Sequence, residues 1–272
     1  MRTLSLEYIT DLYCLVDDLV DRPLSPKPGR PATLTDAEVI TMLLWNTMTL
    51  RQQTLKDLYR FFLIYHQKEF PKLPHYNKFL EHCHRAMPLM YQLLQYTLND
   101  KAQLRFLDST MLEVCKLVRA DRHKTAKNIA DFGKNHQGWH YGLKLHLAID
   151  ARGKLCALLF TAASFHDAQA MPALLNRHCR IAVGDSQYGA SIMGGIMHDL
   201  FDTIIVAPPH YKQKKKLISD WQLKLLRMRP KIECVFDYLK NHLHLISSFP
   251  RSVKGYALHY LRILLGYQFL MG

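Results

Sequence analysis

Three acidic residues stand where a carboxylate is unusual. Asp108 and Asp185 each follow a short apolar run that is typical of a buried strand, and Glu233 lies in a stretch with helical spacing. A carboxylate at the end of a buried strand is costly unless it is paired or bound to a metal ion. Ligands of open sheets gather at strand ends. We therefore expect Asp108 and Asp185 to share a cation, with a helix packed across the sheet supplying Glu233.

Oxygen donors of this kind suit Mg²⁺ or Mn²⁺. Two such ions about 4 Å apart can activate an attacking oxygen and stabilise the leaving oxygen in phosphoryl transfer. Each acid also has a structural alternative: Asp108 capping a turn, Asp185 capping the next helix, and Glu233 solvated on its helix. The sequence favours the metal site because all three contexts occur together.

The stretch around Glu233 predicts specific geometry. Arg229 and Lys240 lie four residues before and seven residues after Glu233, so all three share one helical face. Pro230 suits the first position of a helix. The two cations can hold DNA phosphates beside the acid, or they form intrahelical ion pairs. Asp237, one turn beyond Glu233, is the rival third ligand.

The chain is strongly basic. It has 272 residues with 36 Lys+Arg against 23 Asp+Glu, a formal net charge of +13. Such a surplus favours a polyanionic partner, and nucleic acid is the usual one. Two segments concentrate this charge, a loop after a predicted strand and the stretch Arg119–Lys127, and each is a candidate DNA contact or a solvated loop. The loop carries Lys212, Lys214, Lys215 and Lys216.

The spacing of apolar residues predicts a helical domain over residues 1–100. Thr35–Glu38 is a capping box, and helices are predicted over Leu55–Tyr65 and over Lys78–Leu98 with a kink at Pro88. These helices form either a DNA-binding helix-turn-helix module or a packed helical subdomain.

From residue 101 to residue 272 the pattern predicts a mixed α/β domain. Short apolar and alternating runs indicate strands, with a hairpin among the early ones, and strand–helix alternation follows. This favours a mixed sheet flanked by helices. The predicted strands are Leu104–Asp108, Trp139–Ile149, Leu155–Ala162, Ile181–Asp185 and Thr203–Ala207, and the predicted helices are Asp167–His178, Ser191–Phe201 and most of residues 217–270.

Several classes of protein are excluded. The six cysteines lie far apart without a CxxC pair, which argues against a zinc ribbon or a disulfide scaffold and fits reduced cytosolic thiols. The acidic amino-terminal stretch is not a secretory signal. Tyr256–Leu270 contains His259 and Arg262 and is too short and charged to span a bilayer. We expect a cytoplasmic protein with no membrane partner.

Taken together, the motifs resemble a known family. The chain is similar to bacterial insertion-sequence transposases of the DDE class, most of all to the IS982 family. Leu226 departs from the related pattern, which has Tyr three positions before Arg229, and Ser186-Gln187 interrupts the second acidic motif. The resemblance rests on Leu107–Thr110, Gly138–His146, Val183–Asp185 with Tyr188-Gly189, the Arg229, Glu233 and Lys240 spacing, and, in a secondary role, His166-Asp167.

The resemblance implies an RNase H-like catalytic domain that cuts and joins DNA strands with Mg²⁺, for which Mn²⁺ can substitute. Asp108, Asp185 and Glu233 take the catalytic and metal-ligand roles, and Arg229 and Lys240 contact DNA. The implied partners are terminal inverted repeats and target DNA. The resemblance also implies a homodimer on DNA, because two ends of the element are processed. It implies a protein associated with the bacterial nucleoid.

Three alternatives remain open from the residues, one of which is a basic structural protein that would show no salt-dependent affinity for DNA. The same three carboxylates would serve a metal-dependent DNA nuclease that performs no strand transfer. A catalytically inactive DNA-binding relative would keep the basic surface and show no measurable activity.

Overall fold

The chain divides into two compact units in a computed structural model that describes residues 6–20, 32–51, 53–135, 138–189, 192–209, 217–247 and 250–271. We predicted one domain over 101–272, whereas the last helix groups with the amino-terminal helices. A separation of DNA binding from catalysis between the units stays a prediction. The first unit comprises Met1–Thr97, Leu243–Leu245 and Phe249–Leu270, and the second comprises Leu98–His242, Ile246–Ser248 and Met271–Gly272.

The secondary structure changes character along the chain, from helices to a sheet with short helices. The helices are α1 (Leu6–Leu19), α2 (Asp36–Trp45), α3 (Leu55–Tyr65), α4 (Tyr76–Thr97), α5 (Met171–Leu174), α6 (Ser186–Gly189), α7 (Ile192–Phe201), α8 (Asp220–Met228), α9 (Pro230–Asp237) and α10 (Val253–Met271). The strands are β1 (Leu104–Glu113), β2 (Asp131–Asn135), β3 (Gly138–Ile149), β4 (Leu155–Ala162), β5 (Ile181–Val183) and β6 (Ile204–Val206).

Helices α2 and α3 begin where the sequence predicts, and α4 begins at Tyr76, two residues before the predicted Lys78. The predicted capping box is confirmed: the Thr35 hydroxyl accepts from the Glu38 N–H at 3.1 Å, and the Glu38 carboxylate accepts from the Thr35 N–H at 2.6 Å. Helix α3 has the predicted bounds, and α4 continues through Pro88. The predicted contact of these helices with DNA stays a prediction.

Helix α10 is buried over most of its length, which explains its apolar sequence. Gly266 lies so close to Thr47 that a Cβ there would come within 2.5 Å of the Thr47 side chain. The fully buried guanidinium of Arg262 donates to the Gln53 carbonyl at 3.2 Å. No helix in the described part of the chain is long and apolar enough to cross a membrane.

The second unit is built on a mixed sheet with β1 at its centre. β1 pairs antiparallel with β3 and parallel with β5, and β5 pairs parallel with β6. On its other edge β3 pairs in succession with β2 and β4, both antiparallel. The predicted hairpin of Trp139–Ile149 with Leu155–Ala162 is confirmed, so the fold is a mixed α/β sheet with helices.

Two predicted elements end several residues away from the position expected from the sequence. The strand expected to end at Asp108 continues to Glu113, because its second half pairs with β3 over residues 142–146. The helix expected over Asp167–His178 is a 3₁₀ turn followed by the short α5. It ends after Leu174, whose carbonyl accepts a hydrogen bond from Arg105 instead of continuing the helix.

Arg105 fixes the beginning of β1 to the segment after α5. Its side chain is 1% exposed, and its guanidinium donates to the carbonyls of Asp100 at 2.5 Å and Leu174 at 2.8 Å and to the Asn176 side chain at 2.8 Å. Removing it would abolish these three hydrogen bonds from a charged donor, each of which contributes about 1.5–3 kcal/mol. It would also take this donor away from the buried Leu174 carbonyl.

We therefore predict that Arg105→Ala lowers the free energy of unfolding by about 3 kcal/mol or more. Urea denaturation followed by circular dichroism measures this loss. The matched control is Arg152→Ala, which removes an exposed arginine of the same unit and should change stability by no more than about 0.5 kcal/mol. Equal stabilities of the two variants would contradict the role of Arg105.

Candidate active site

Asp108 lies in the middle of the central strand, with its side chain only 18% exposed. In the antiparallel register it pairs with Leu147 of β3. One carboxylate oxygen accepts from the Ser109 N–H at 2.8 Å, and the other accepts from Arg229 at 3.1 Å. The site is therefore built on a strand that pairs with a neighbour on each side.

Strand register places Asp185 at the same height along the sheet as Asp108. The parallel pairing of β1 and β5 matches Phe106 with Val183, and Asp108 and Asp185 each lie two residues further along. The Asp185 carboxylate also accepts from the Gln187 N–H at 2.9 Å at the start of α6. The capping role considered from the sequence is thus present, and it coexists with the position beside Asp108.

Gly184 is required by the close approach of a buried tyrosine. A Cβ at this position would lie 2.6 Å from the Tyr188 ring. Tyr188 is fully buried, and burial raises the pKa of its phenol well above the ordinary value, with the charges of Asp167, Asp108 and Asp185 acting in the same direction. The phenol therefore stays neutral beneath the group of acids.

Helix α9 brings the third acid to Asp108 by way of Arg229. The helix buries Ile232 and Phe236 and leaves Glu233 on its exposed side, with 58% of that side chain exposed. Arg229 lies at the junction of α8 and α9. Its guanidinium donates to Asp108 at 3.1 Å and to Glu233 at 3.1 Å. Arg229 thus connects Glu233 with Asp108, and Asp185 lies close enough to act on Asp108 through its charge.

The electrostatics of Asp108 follow from burial. Burial raises its pKa to about 6, and the charges of Asp185 and Asp167 push in the same direction. The Arg229 guanidinium and the Ser109 N–H act in the opposite direction by favouring the ionised form. A carboxyl with such a pKa binds a cation in competition with a proton near neutral pH.

Asp167 is a further buried acid, for which the sequence predicts only a secondary role. Its side chain is 15% exposed, and one oxygen accepts from the Ser109 hydroxyl at 2.9 Å and from Lys144 at 3.1 Å. His146 lies 3.6 Å away, and burial lowers its pKa to about 4. Asp167 thus holds Ser109, whose N–H in turn holds Asp108. Its signal in the sequence was the pair His166-Asp167 after a strand.

The remaining predicted cations lie elsewhere. Lys240 is half-buried in a π-helical turn that continues α9, where burial lowers its pKa and the charge of Glu113 opposes that shift. Lys212, Lys214, Lys215 and Lys216 lie outside the described residues. The rival ligand Asp237 is exposed and accepts from the Asn241 side chain at 2.6 Å.

The donor set can be compared with the needs of a metal ion. Within the described ranges, no three His, Cys, Asp or Glu side chains form a group that could hold a metal ion. The carboxylates are nevertheless the hard oxygen donors that Mg²⁺ and Mn²⁺ take, and Arg229 supplies positive charge between Asp108 and Glu233. The types of side chain present therefore suit a divalent cation. The Arg229 guanidinium lies between Asp108 and Glu233, where it supplies the positive charge that a metal ion would supply.

Comparison with known proteins adds one family. The family model described as Transposase DDE domain matches residues 98–253, which is more than half of the chain. The matched stretch contains Asp108, Asp185 and Glu233. None of the curated proteins matches the chain.

The raised pKa of Asp108 makes a prediction about stability without metal. A pKa that rises from 3.8 to about 6 on folding costs stability as pH rises through that interval, up to about 3 kcal/mol at 1.36 kcal/mol per pKa unit. In EDTA at pH 8, Asp108→Asn should therefore be more stable than the wild type, with the difference disappearing near pH 3.5.

Urea denaturation at the two pH values measures this difference. Asp237→Asn is the matched control, since it neutralises an exposed acid of α9 and should leave stability nearly unchanged at both. A loss of stability in Asp108→Asn at pH 8 would contradict the assignment of a costly buried charge.

Proposed function

Because the chain belongs to the Transposase DDE domain family, we propose that it is a DNA transposase that cuts the ends of an insertion-sequence element and joins them to target DNA. Asp108, Asp185 and Glu233 are its catalytic carboxylates. Its finer affiliation is the IS982 family, on the motifs that link these acids with Arg229 and Lys240.

The observation that supports this proposal is the way in which strand register and Arg229 link the three acids. They lie 77 and 48 residues apart in the sequence, yet strand register puts Asp108 beside Asp185, and Arg229 connects Asp108 to Glu233. Structural ion pairs do not need a third carboxylate next to a buried one, since clustered like charges are unfavourable. A site for cations accounts for the arrangement.

The order of strands supports an RNase H-like fold for the second unit. Three antiparallel strands, β4, β3 and β1, are followed by the parallel strands β5 and β6. The first acid lies on the central strand, the second follows its parallel neighbour, and the third lies on a helix that packs against β1.

Asp108, Asp185 and Glu233 would hold the divalent cations, Mg²⁺ or Mn²⁺. When bound there, such ions supply Lewis-acid chemistry for phosphoryl transfer, activating the attacking oxygen and stabilising the leaving oxygen. The chain itself positions the reaction, because β1 and the Ser109 N–H fix the Asp108 carboxylate. Positioning and charge are the protein's main contribution to such a reaction.

Arg229 has two roles in this proposal. Without cations at the site its guanidinium neutralises Asp108 and Glu233, and with DNA bound it can form a bidentate contact with a phosphate. Lys240 and the lysines at 212, 214, 215 and 216 provide further phosphate contacts. We also propose a homodimer on DNA, since two element ends are processed.

We expect Asp108→Asn, Asp185→Asn and Glu233→Gln each to lower the rate of strand cleavage about 10³-fold or more, because a metal contributes several kcal/mol of transition-state stabilisation at about 1.36 kcal/mol per tenfold. The substrate is a labelled duplex carrying the DNA on either side of the coding sequence, with Mg²⁺, resolved on a denaturing gel. Asp237→Asn is the matched control and should keep nearly wild-type activity.

The products separate the alternatives. Cut ends joined to target DNA support a transposase, cut ends alone identify a nuclease, and unchanged DNA that is still bound identifies an inactive relative. Loss of activity in Asp237→Asn with activity retained in Glu233→Gln would move the third carboxylate to Asp237.

Arg229 should compete with the metal. Two charges 4 Å apart near a protein surface interact by about 4 kcal/mol, so removing even part of this interaction is measurable. We predict that Arg229→Gln binds Mn²⁺ roughly tenfold more tightly than the wild type, which is about 1.4 kcal/mol. Calorimetric titration with Mn²⁺ measures the affinity of each protein for the metal. Arg227→Gln, an exposed arginine of α8, is the control, and identical Mn²⁺ affinities in all three proteins would contradict the competition.

A further inference from the structure

A row of aromatic and basic side chains lies on the hairpin of β2 and β3. The antiparallel register pairs Phe132 with Tyr141 and Lys134 with Trp139. Side chains two residues apart on one strand, and those directly opposite on the next, lie on the same face of a sheet. The Phe132 and Tyr141 rings are 4.9 Å apart, and the Lys134 ammonium lies 5.8 Å from the centre of the Trp139 ring.

The two outer rings of this row are open to solvent. Trp139 is 56% exposed and Phe132 is 41% exposed, although burying such rings normally stabilises a protein. A large aromatic side chain held on a strand by a neighbouring cation is preorganised for stacking, because little conformational freedom is left to lose. Exposed rings of this kind indicate a surface that binds a flat partner.

A basic segment borders the row of rings. The 3₁₀ turn Leu117–Arg122 packs against β3, and the His123 ring lies 6.1 Å from that of Tyr141. Ala120 and Ala126 are buried and anchor the segment, which leaves its cations outside. Between residues 116 and 134 there are six cations against two acids. The exposed cations are Lys116, Arg119, Arg122, Lys124, Lys127 and Lys134.

We propose that this hairpin face, defined as Phe132, Lys134, Trp139 and the exposed cations of residues 116–127, is a second DNA-binding surface. It takes a DNA strand with unpaired bases: the cations contact successive phosphates, and the exposed rings stack on bases. The combination of a cationic track with aromatic platforms is the physical basis of single-strand binding. The inference rests on the proposed function only in taking DNA as the partner.

The hairpin face is separate from the site around Asp108. Trp139 lies eight residues along β3 from Leu147, the partner of Asp108 in the register. At about 3.4 Å per residue this is roughly 27 Å. The surface therefore contacts a part of the DNA other than the phosphate that is cut.

The contribution of the cations of the hairpin face to DNA binding is measured by the salt dependence of the affinity. We compare the wild type with the triple variant Arg119→Ala, Arg122→Ala and Lys124→Ala, using the fluorescence anisotropy of a labelled mixed-sequence strand of about 20 nucleotides. For single strands the slope of log affinity against log salt is about 0.7 for each phosphate neutralised, so the slope should fall by about 2. Circular dichroism verifies that the variant is folded.

The matched control removes three exposed cations from the other end of the sheet, in the variant Lys101→Ala, Arg152→Ala and Arg177→Ala. It should keep the wild-type slope. Equal slopes in the two triple variants would overturn the proposal, because the effect would then be one of net charge alone.

Stacking is tested at Trp139. Trp139→Ala should weaken binding of the single strand roughly tenfold, the loss expected for one stacked base, and should change binding of a matched duplex little. Trp139→Phe should retain most of the affinity because it keeps a ring. Wild-type single-strand affinity in Trp139→Ala would overturn the role of the ring.

Failure of the two proposals is distinguishable. If the wild type cuts element ends while the hairpin variants bind DNA as it does, the hairpin face is wrong and the transposase proposal stands. If no element end is cut while the hairpin variants lose affinity and salt dependence, the hairpin face stands and the proposed activity fails.

Discussion

The ion pair between Arg229 and Asp108 is the interaction on which the candidate site of this protein depends. A carboxylate in the middle of a central strand loses most of its hydration, and burial raises the pKa of Asp108 to about 6. The guanidinium offsets part of this cost from one side, and the Ser109 N–H does so from another. A purely structural strand would carry an apolar residue here. The retained charge therefore indicates use of the carboxylate, since a buried ion pair is weak evidence for stability.

Two neighbouring residues of β1 form much of this site. Side chains of successive strand residues point to opposite faces, so Asp108 and Ser109 connect β1 to different groups. Asp108 accepts from Arg229 at the α8–α9 junction, and Ser109 donates to Asp167, which also accepts from Lys144. The contacts of Ser109 on one face thereby help to hold the Asp108 carboxylate on the other, because the Ser109 N–H donates to Asp108. The same strand begins at the buried Arg105 anchor and ends near the β2–β3 hairpin.

The sequence predicted the elements with strong local signals and missed those set by pairing partners. The capping box at Thr35–Glu38 and the hairpin of β3 with β4 depend on neighbouring residues, and both are confirmed. The extension of β1 beyond Asp108 depends on pairing with a strand about thirty residues away, which no local pattern records. Strand β2 was not predicted for the same reason, because its five residues pair only with β3.

In the candidate site, too, the sequence predicts what depends on neighbouring residues and misses what depends on residues far away in the chain. Apolar runs followed by acids identified Asp108 and Asp185, and the spacing around Pro230 identified the Glu233 helix. The bridge made by Arg229 was predicted only as an intrahelical pair with Glu233, since its second partner, Asp108, is 121 residues away. Asp167 becomes prominent only when its hydrogen bond with Ser109 and its ion pair with Lys144 are seen.

The most direct test of this account is a crystal structure of the protein soaked in Mn²⁺, examined for anomalous scattering. The account predicts a Mn²⁺ peak coordinated by the carboxylates of Asp108 and Asp185, with the Arg229 guanidinium withdrawn from Asp108. Mn²⁺ bound only at other residues, with the Arg229–Asp108 pair intact at saturating metal, would contradict it.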